Sequence, residues 1–197
     1  MLRLLIIVLV VVAALLRGGS LHNFTTLRLR WPALALAGLG LQLLLFTPFT
    51  AAPLITVAVP SLYVLSMLLL VGWVLLNRHI PGMTLMGVGL ALNTLAIIAN
   101  GGYMPADPRA VAFAGRAAAY GADGSAVYNN SIAAGEGVRL WLLTDILPLP
   151  AWVPLANVYS IGDVLIELGA ALLCWKTLLR RPQAPAEAVA APPANAP

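Results

Sequence analysis

Two carboxylates and two amides set inside apolar runs are the residues of this chain best placed to do chemistry. Asp163 and Glu167 stand four apart in a run from about 160 to 179, so on a helix both acids share one face. In a common pocket their titrations would couple and one acid would keep its proton near neutrality, as a proton relay requires. The plainer reading of Asp163 is capping: it follows Ser160 within one turn, where a helix's positive end favours an anion. Glu167 lies roughly 10 Å deeper, about a third of the way through a ~30 Å hydrocarbon core. There it must face protein, face water or hold a proton. Asn93 and Asn100, seven apart, fall on one helical face with Gly82, Met86 and Gly89. Helix packing accounts for such a stripe, since glycines admit a second backbone and amides bridge helices for about 0.6–2 kcal/mol each. A polar cavity opening on the outer surface is the sharper alternative. Gln42, in another apolar run, could pair with either amide.

Signatures of catalysis are sparse. His22 and His79 are the only histidines, both distant in the chain from the acids, and no His-Glu-x-x-His metal motif occurs. Ser160-Ile161-Gly162-Asp163 is similar to the Gly-x-Gly-Asp of intramembrane aspartyl proteases, but a second mid-span Asp is missing. An enzyme built on Asp145, Asp163 and Arg139 with a borrowed metal is a third-ranked reading. Cys174, the sole cysteine, leaves no intrachain disulfide and no cysteine zinc cluster, and reads as a packing residue.

These residues must be positioned by helices in lipid. Hydrophobic residues make up 61% of the chain and charged ones 9%, too few to cover a soluble surface. The fold class expected is all-α: a polytopic membrane bundle of about five transmembrane helices in one domain, residues 1–181. The spans predicted are 2–16, 31–46, 61–76 (with a start nearer 54 as a variant), 83–99 and 160–179. The first reads as a retained span, because no small-residue cleavage site follows it. Arg17, Arg28, Arg30, Arg78, Lys176, Arg180 and Arg181 fall on one side of that threading, against Arg3 alone. The positive-inside rule then puts the N-terminus outside, the C-terminus in the cytoplasm, and residues 100–159 in a long extracytoplasmic loop. Its middle, 110–131, is Ala/Gly-rich and expected to be mobile. Residues 139–159 are nearly as apolar as a span, but Pro148, Pro150 and Pro154 forbid a continuous helix, so an interfacial or re-entrant segment is predicted. Residues 182–197 form a Pro/Ala-rich cytoplasmic tail expected to be disordered. The formal charge of +4 flanks apolar segments rather than forming a stripe, so nucleic acid is not an expected partner.

Two blocks of sequence carry a resemblance. The first is Asn77-Arg78-His79-Ile80-Pro81-Gly82-Met83 continuing to Leu92-Asn93 and to Asn100-Gly101-Gly102-Tyr103-Met104-Pro105. The second is Arg139-Leu140-Trp141, Asp145-Ile146, Pro148-Leu149-Pro150 and Asn157-Val158-Tyr159-Ser160-Ile161-Gly162-Asp163. Together they resemble the bacterial multi-pass membrane family catalogued as domain of unknown function 5317. The resemblance implies a protein of the bacterial cytoplasmic membrane and transfers no catalytic residue and no cofactor.

Both blocks meet the loop, so a compact polar cluster is expected near the outer leaflet: Asn93, Asn100, Tyr103, Asp145, Asn157, Asp163 and Glu167. The leading functional expectation is a non-catalytic structural or accessory membrane component, with a membrane-protein partner or a second copy beside the lipid bilayer. The alternative is a binding or transport site for a small solute, proton or lipid headgroup, using Asp163 and Glu167. A hydrated crevice at either acid would favour the site; dry pairing of every polar group would favour the scaffold.

Overall fold

The computed structural model describes residues 2–46, 53–120, 131–154 and 156–180. The protein is mostly helical. Five apolar helices dominate: α1 (Leu2–Leu16), α2 (Pro32–Phe46), α3 (Pro53–Leu76), α4 (Met83–Ala99) and, after the long loop, a helix over Ile161–Leu178. Their bounds follow the punctuation of the sequence. Pro32 and Pro53 open helices in the first turn, where a missing amide costs nothing. The α4 helix ends on Gly101, whose φ of +72° lets Gly102 N–H reach back to the Ile97 carbonyl at 2.8 Å. The third helix starts not at 61 but at Pro53, close to the variant start near 54, and runs through Pro60. Among the described residues, one helical stretch, Ala58–Leu76, is long and apolar enough to cross a membrane; Leu5–Leu16, Pro32–Phe46 and Met83–Ala99 are shorter apolar helices.

Residues 100–159 are a cap, with short strands where an all-α chain was expected. Strand β1 (Met104–Ala106) pairs in parallel with β2 (Ser131–Ala133), and Asp145 bridges to the far side of Ala106. Helix α5 (Pro108–Phe113) and a 3-10 turn at Ala117–Tyr120 fold over this ribbon around Ala106, Val111, Ala114, Tyr120 and Val158. The stretch expected to be mobile is therefore ordered up to residue 120; residues 121–130, like the tail 182–197, lie outside the described residues. Among its described residues, the proline-rich segment forms no continuous helix, as its prolines dictate. It makes a 3-10 turn (Trp141–Leu143) and then β3 (Leu147–Pro148), antiparallel to β4 (Val158–Tyr159). Its prolines fit that ribbon because the donors are their neighbours: Ile146 N–H reaches Tyr159 O at 3.2 Å and Leu149 N–H reaches Asn157 O at 2.9 Å.

The last helix, Ile161–Leu178, is α6. The apolar helices pack in the spatial order α2, α3, α4, α6, α1, and the tightest neighbours are α4 and α6. Glycines explain that closeness. Gly82 faces the Gly169 carbonyl and Gly89 faces the Gly162 carbonyl, so two rungs seven residues apart hold the helices antiparallel with their backbones in contact. A methyl group on Gly169 would sit 2.5 Å from the Met86 side chain and 2.7 Å from the Gly82 carbonyl oxygen. Between α2, α3 and α4, Leu45, Tyr63, Met67, Ile97 and Met104 form a buried cluster, with Phe46 edge-on to Tyr63 at 5.1 Å.

Candidate functional site

The sharpest polar geometry lies where α4 meets the start of α6. Ser160 is the N-cap of α6, in extended backbone (φ −91°, ψ 166°), and its hydroxyl oxygen accepts the Asp163 N–H at 2.9 Å. The Asp163 Oδ2 accepts the Ser160 N–H at 3.2 Å, a capping box with Asp in the usual Glu position. The free edge of each group then turns to Asn93. Its Nδ2 donates to Asp163 Oδ1 at 2.9 Å, and its Oδ1 accepts the Ser160 hydroxyl at 2.8 Å. A closed ring of hydrogen bonds thus joins two helices across 70 residues of chain. Asn93 and Ser160 are both buried, and such groups are tolerated in a core only when paired. Gly162 makes room for the ring, because a side chain there would collide with Asn93 Oδ1.

Beside the ring lies a cavity of about 310 Å³. Asn93, Asp163, Asp145, Asn157 and Gln42 supply its polar lining; Tyr63, Met67, Leu70, Leu90, Met104, Val158 and Ile166 supply the rest. No lysine, arginine or histidine is among the described lining residues. Asp145 is aimed by its own backbone: its N–H donates to Pro105 O at 3.0 Å and its carbonyl accepts Asp107 N–H at 2.9 Å, pinning it to β1. Asn157 is fixed in the same manner, its carbonyl accepting from Leu149. Gln42 is held from α2 by its Nε2, which donates to Ser66 Oγ at 3.2 Å.

Of the seven residues expected to cluster, the cavity gathers Asn93, Asp145, Asn157 and Asp163. Asn100 serves backbone instead. Its Nδ2 donates to Ala96 O (2.8 Å) and Arg139 O (2.9 Å), while its Oδ1 accepts Arg139 N–H (2.9 Å). Tyr103, half-buried just ahead of β1, is not among the lining residues. Glu167 is not among them either; its Oε1 is buried and takes no hydrogen bond from a described residue. Ser160 and Tyr63 are members of the site that sequence reasoning did not single out for it. For Ser160 the signal was present, since a hydroxyl that caps with its oxygen still has a proton to give. No group of three or more His, Cys, Asp or Glu suited to a metal ion occurs among the described residues.

Residues 26–175 match the family of unknown function DUF5317. The chain belongs to that family. The DUF5317 region takes in the whole cavity lining, from Gln42 to Ile166, and leaves α1 outside. No curated protein and no solved structure matches the chain.

Proposed function

We propose that the chain is a multi-pass protein of the bacterial cytoplasmic membrane whose outer-end chamber binds a small organic ammonium ion without catalysing a reaction. The observation that carries this reading is the cavity beside the α4–α6 ring, whose polar lining includes the carboxylates Asp145 and Asp163 and whose remaining walls are apolar and aromatic. Carboxylates held among amides and low-dielectric walls attract a cation more strongly than they would in water. Met67, Leu70, Leu90 and Ile166 give its carbon substituents apolar contact, and Tyr63 adds an aromatic wall.

Embedding in lipid is supported by what the bundle leaves uncovered. Leu36, Leu43 and Leu44 on α2 are 70%, 68% and 65% exposed, and Leu68, Leu95 and Ile98 are half exposed. A bilayer would cover these faces; water would not tolerate them. In this reading α1, α2, α3, α4 and α6 are the five spans, the shorter ones accommodated by local thinning. Arg28 and Arg180 line one pocket at the end away from the cap, as a single cytoplasmic rim requires. Trp141 and Trp152, both exposed on the cap side, suit the outer headgroup level.

The test is a thermal-unfolding series on detergent-solubilised protein with choline and with its uncharged carbon isostere. Choline is expected to raise the unfolding temperature, the isostere to leave it unchanged, and Asp145→Asn to abolish the shift, with the variant's own ligand-free transition as the check that it folds. No shift with choline, or equal shifts with both compounds, would overturn the proposal. A second reading, an accessory component presenting its cap to a membrane partner or a second copy, is favoured by the closed Asn93–Ser160–Asp163 ring, because satisfied groups lock helices together. Site-directed cross-linking from the exposed Trp152 in native membranes separates the two: a captured protein with no choline response selects the accessory role.

A further inference from the structure

The end of the bundle away from the cap carries a second cavity, of about 650 Å³, between the 3-10 turn at Leu21–Thr26, the α3–α4 turn and the end of α6. Arg28, His79, Lys176 and Arg180 line it, and no carboxylate is among its described lining residues. Those four side chains are exposed, whereas Arg17 at the same end is spent on the Trp175 ring, 5.2 Å away. The negative end of α6 points here, which would disfavour an anion. Asn23 removes much of that obstacle: its Nδ2 donates to the Leu178 carbonyl at 2.8 Å and the Arg180 carbonyl at 2.9 Å. Ser20 N–H takes the Leu178 carbonyl as well, at 2.9 Å. What remains facing the cavity is the positive charge of Arg28, Lys176 and Arg180.

His79 is shared with a shallow groove between α2 and α3, of about 670 Å³, whose floor is Leu34, Gly72, Leu75 and Leu76 and whose rim is Arg30 and Arg78. A basic pocket that shares His79 with an apolar groove has the chemistry of one amphiphile: a phosphate beside the bases and hydrocarbon along the leucines. We infer that this end holds the headgroup of an anionic phospholipid, with its chain in the α2–α3 groove. The inference rests on the membrane reading above but not on the ammonium chamber. Free inorganic phosphate shares the headgroup chemistry without needing the groove.

Native mass spectrometry of the full chain with phosphatidylglycerol and with phosphatidylcholine tests it. The expected result is retention of phosphatidylglycerol over phosphatidylcholine, weakened roughly fivefold for each basic group removed and about 100-fold in an Arg28→Gln, Lys176→Gln, Arg180→Gln variant. Leu75→Gln in the groove is expected to weaken retention of phosphatidylglycerol while leaving its preference over phosphatidylcholine in place. Equal retention of both lipids, equal retention by the triple variant, or displacement of the lipid by excess inorganic phosphate would overturn it. Should the triple variant fail to fold, Lys176→Gln alone, on an exposed position, supplies the same comparison at the fivefold level. Resistance of the wild-type chain to carbonate extraction tests the membrane reading separately. A carbonate-resistant protein lacking lipid selectivity counts against this site alone.

Discussion

Asn77 and Asn100 solve the same problem at opposite ends of the bundle. Each closes a helix by donating to the carbonyl four residues back, Trp73 for Asn77 and Ala96 for Asn100. Each then clasps both backbone groups of an arginine, Asn77 that of Arg30 at 2.7 and 2.9 Å and Asn100 that of Arg139 at 2.9 and 2.9 Å. After each clasped arginine comes a residue in left-handed backbone, Trp31 (φ +50°) and Leu140 (φ +54°), a conformation costing roughly 1–2 kcal/mol outside glycine. The clasp holds that strain so that the chain can turn sharply into α2 at one end and into the cap's 3-10 turn at the other. The ends then diverge. Beyond Asn77 the side chains are basic and open; beyond Asn100 carboxylates turn inward onto a cavity. The difference teaches that the same helix-end clasp serves both faces, and that the charge of the side chains around it sets what each face can bind.

The comparison can be broken first through the helices that carry both ends. Gly162→Ala drives a methyl into Asn93 Oδ1 and the Gly89 carbonyl, and should cost about 3 kcal/mol or prevent folding. Gly40→Ala in α2, where the space is open, should be neutral or stabilise by up to about 1 kcal/mol. Chemical denaturation in mixed micelles reads both. Next, Asn77→Ala removes a fully buried amide and strands the Arg30 backbone, for about 2 kcal/mol, while Asn100→Ala, half-buried, should lose about 1 kcal/mol. Equal losses would mean that burial does not set the strength of the clasp. Asn93→Ala leaves the Ser160 hydroxyl and Asp163 Oδ1 each short of one bond, and about 1–3 kcal/mol is expected from the same unfolding assay. The smallest loss is expected of Arg17→Gln, which gives up the contact with Trp175 for about 0.5 kcal/mol, with a shift in tryptophan emission as its signature.

Helix positions were legible because each apolar run is bounded by residues with a physical reason to stop it. Residues 2–16 and 83–99 are helical to the residue, between arginine, glycine and proline markers. The glycine stripe of α4 was legible too, from its spacing. The cap was not. Its strands pair Met104 with Ser131 across an Ala/Gly-rich stretch with no alternation to betray them, so only tertiary contact defines them. Within the site, Asp163 was legible as a cap, and its bond to Asn93 was not, since residue type alone does not reveal which of several buried amides a carboxylate meets. Asn100 shows the converse: an amide at a helix end can serve its own backbone, and sequence does not say which way it turns.

Everything proposed for the two ends requires them to face opposite sides of one membrane, and cysteine labelling reads this directly. In a Cys174→Ser background, a cysteine at exposed Ala118 in the cap should react with a membrane-impermeant maleimide in intact cells. A cysteine at exposed His79 should react only after permeabilisation. Labelling of both positions in intact cells, or of His79 alone, would contradict the account.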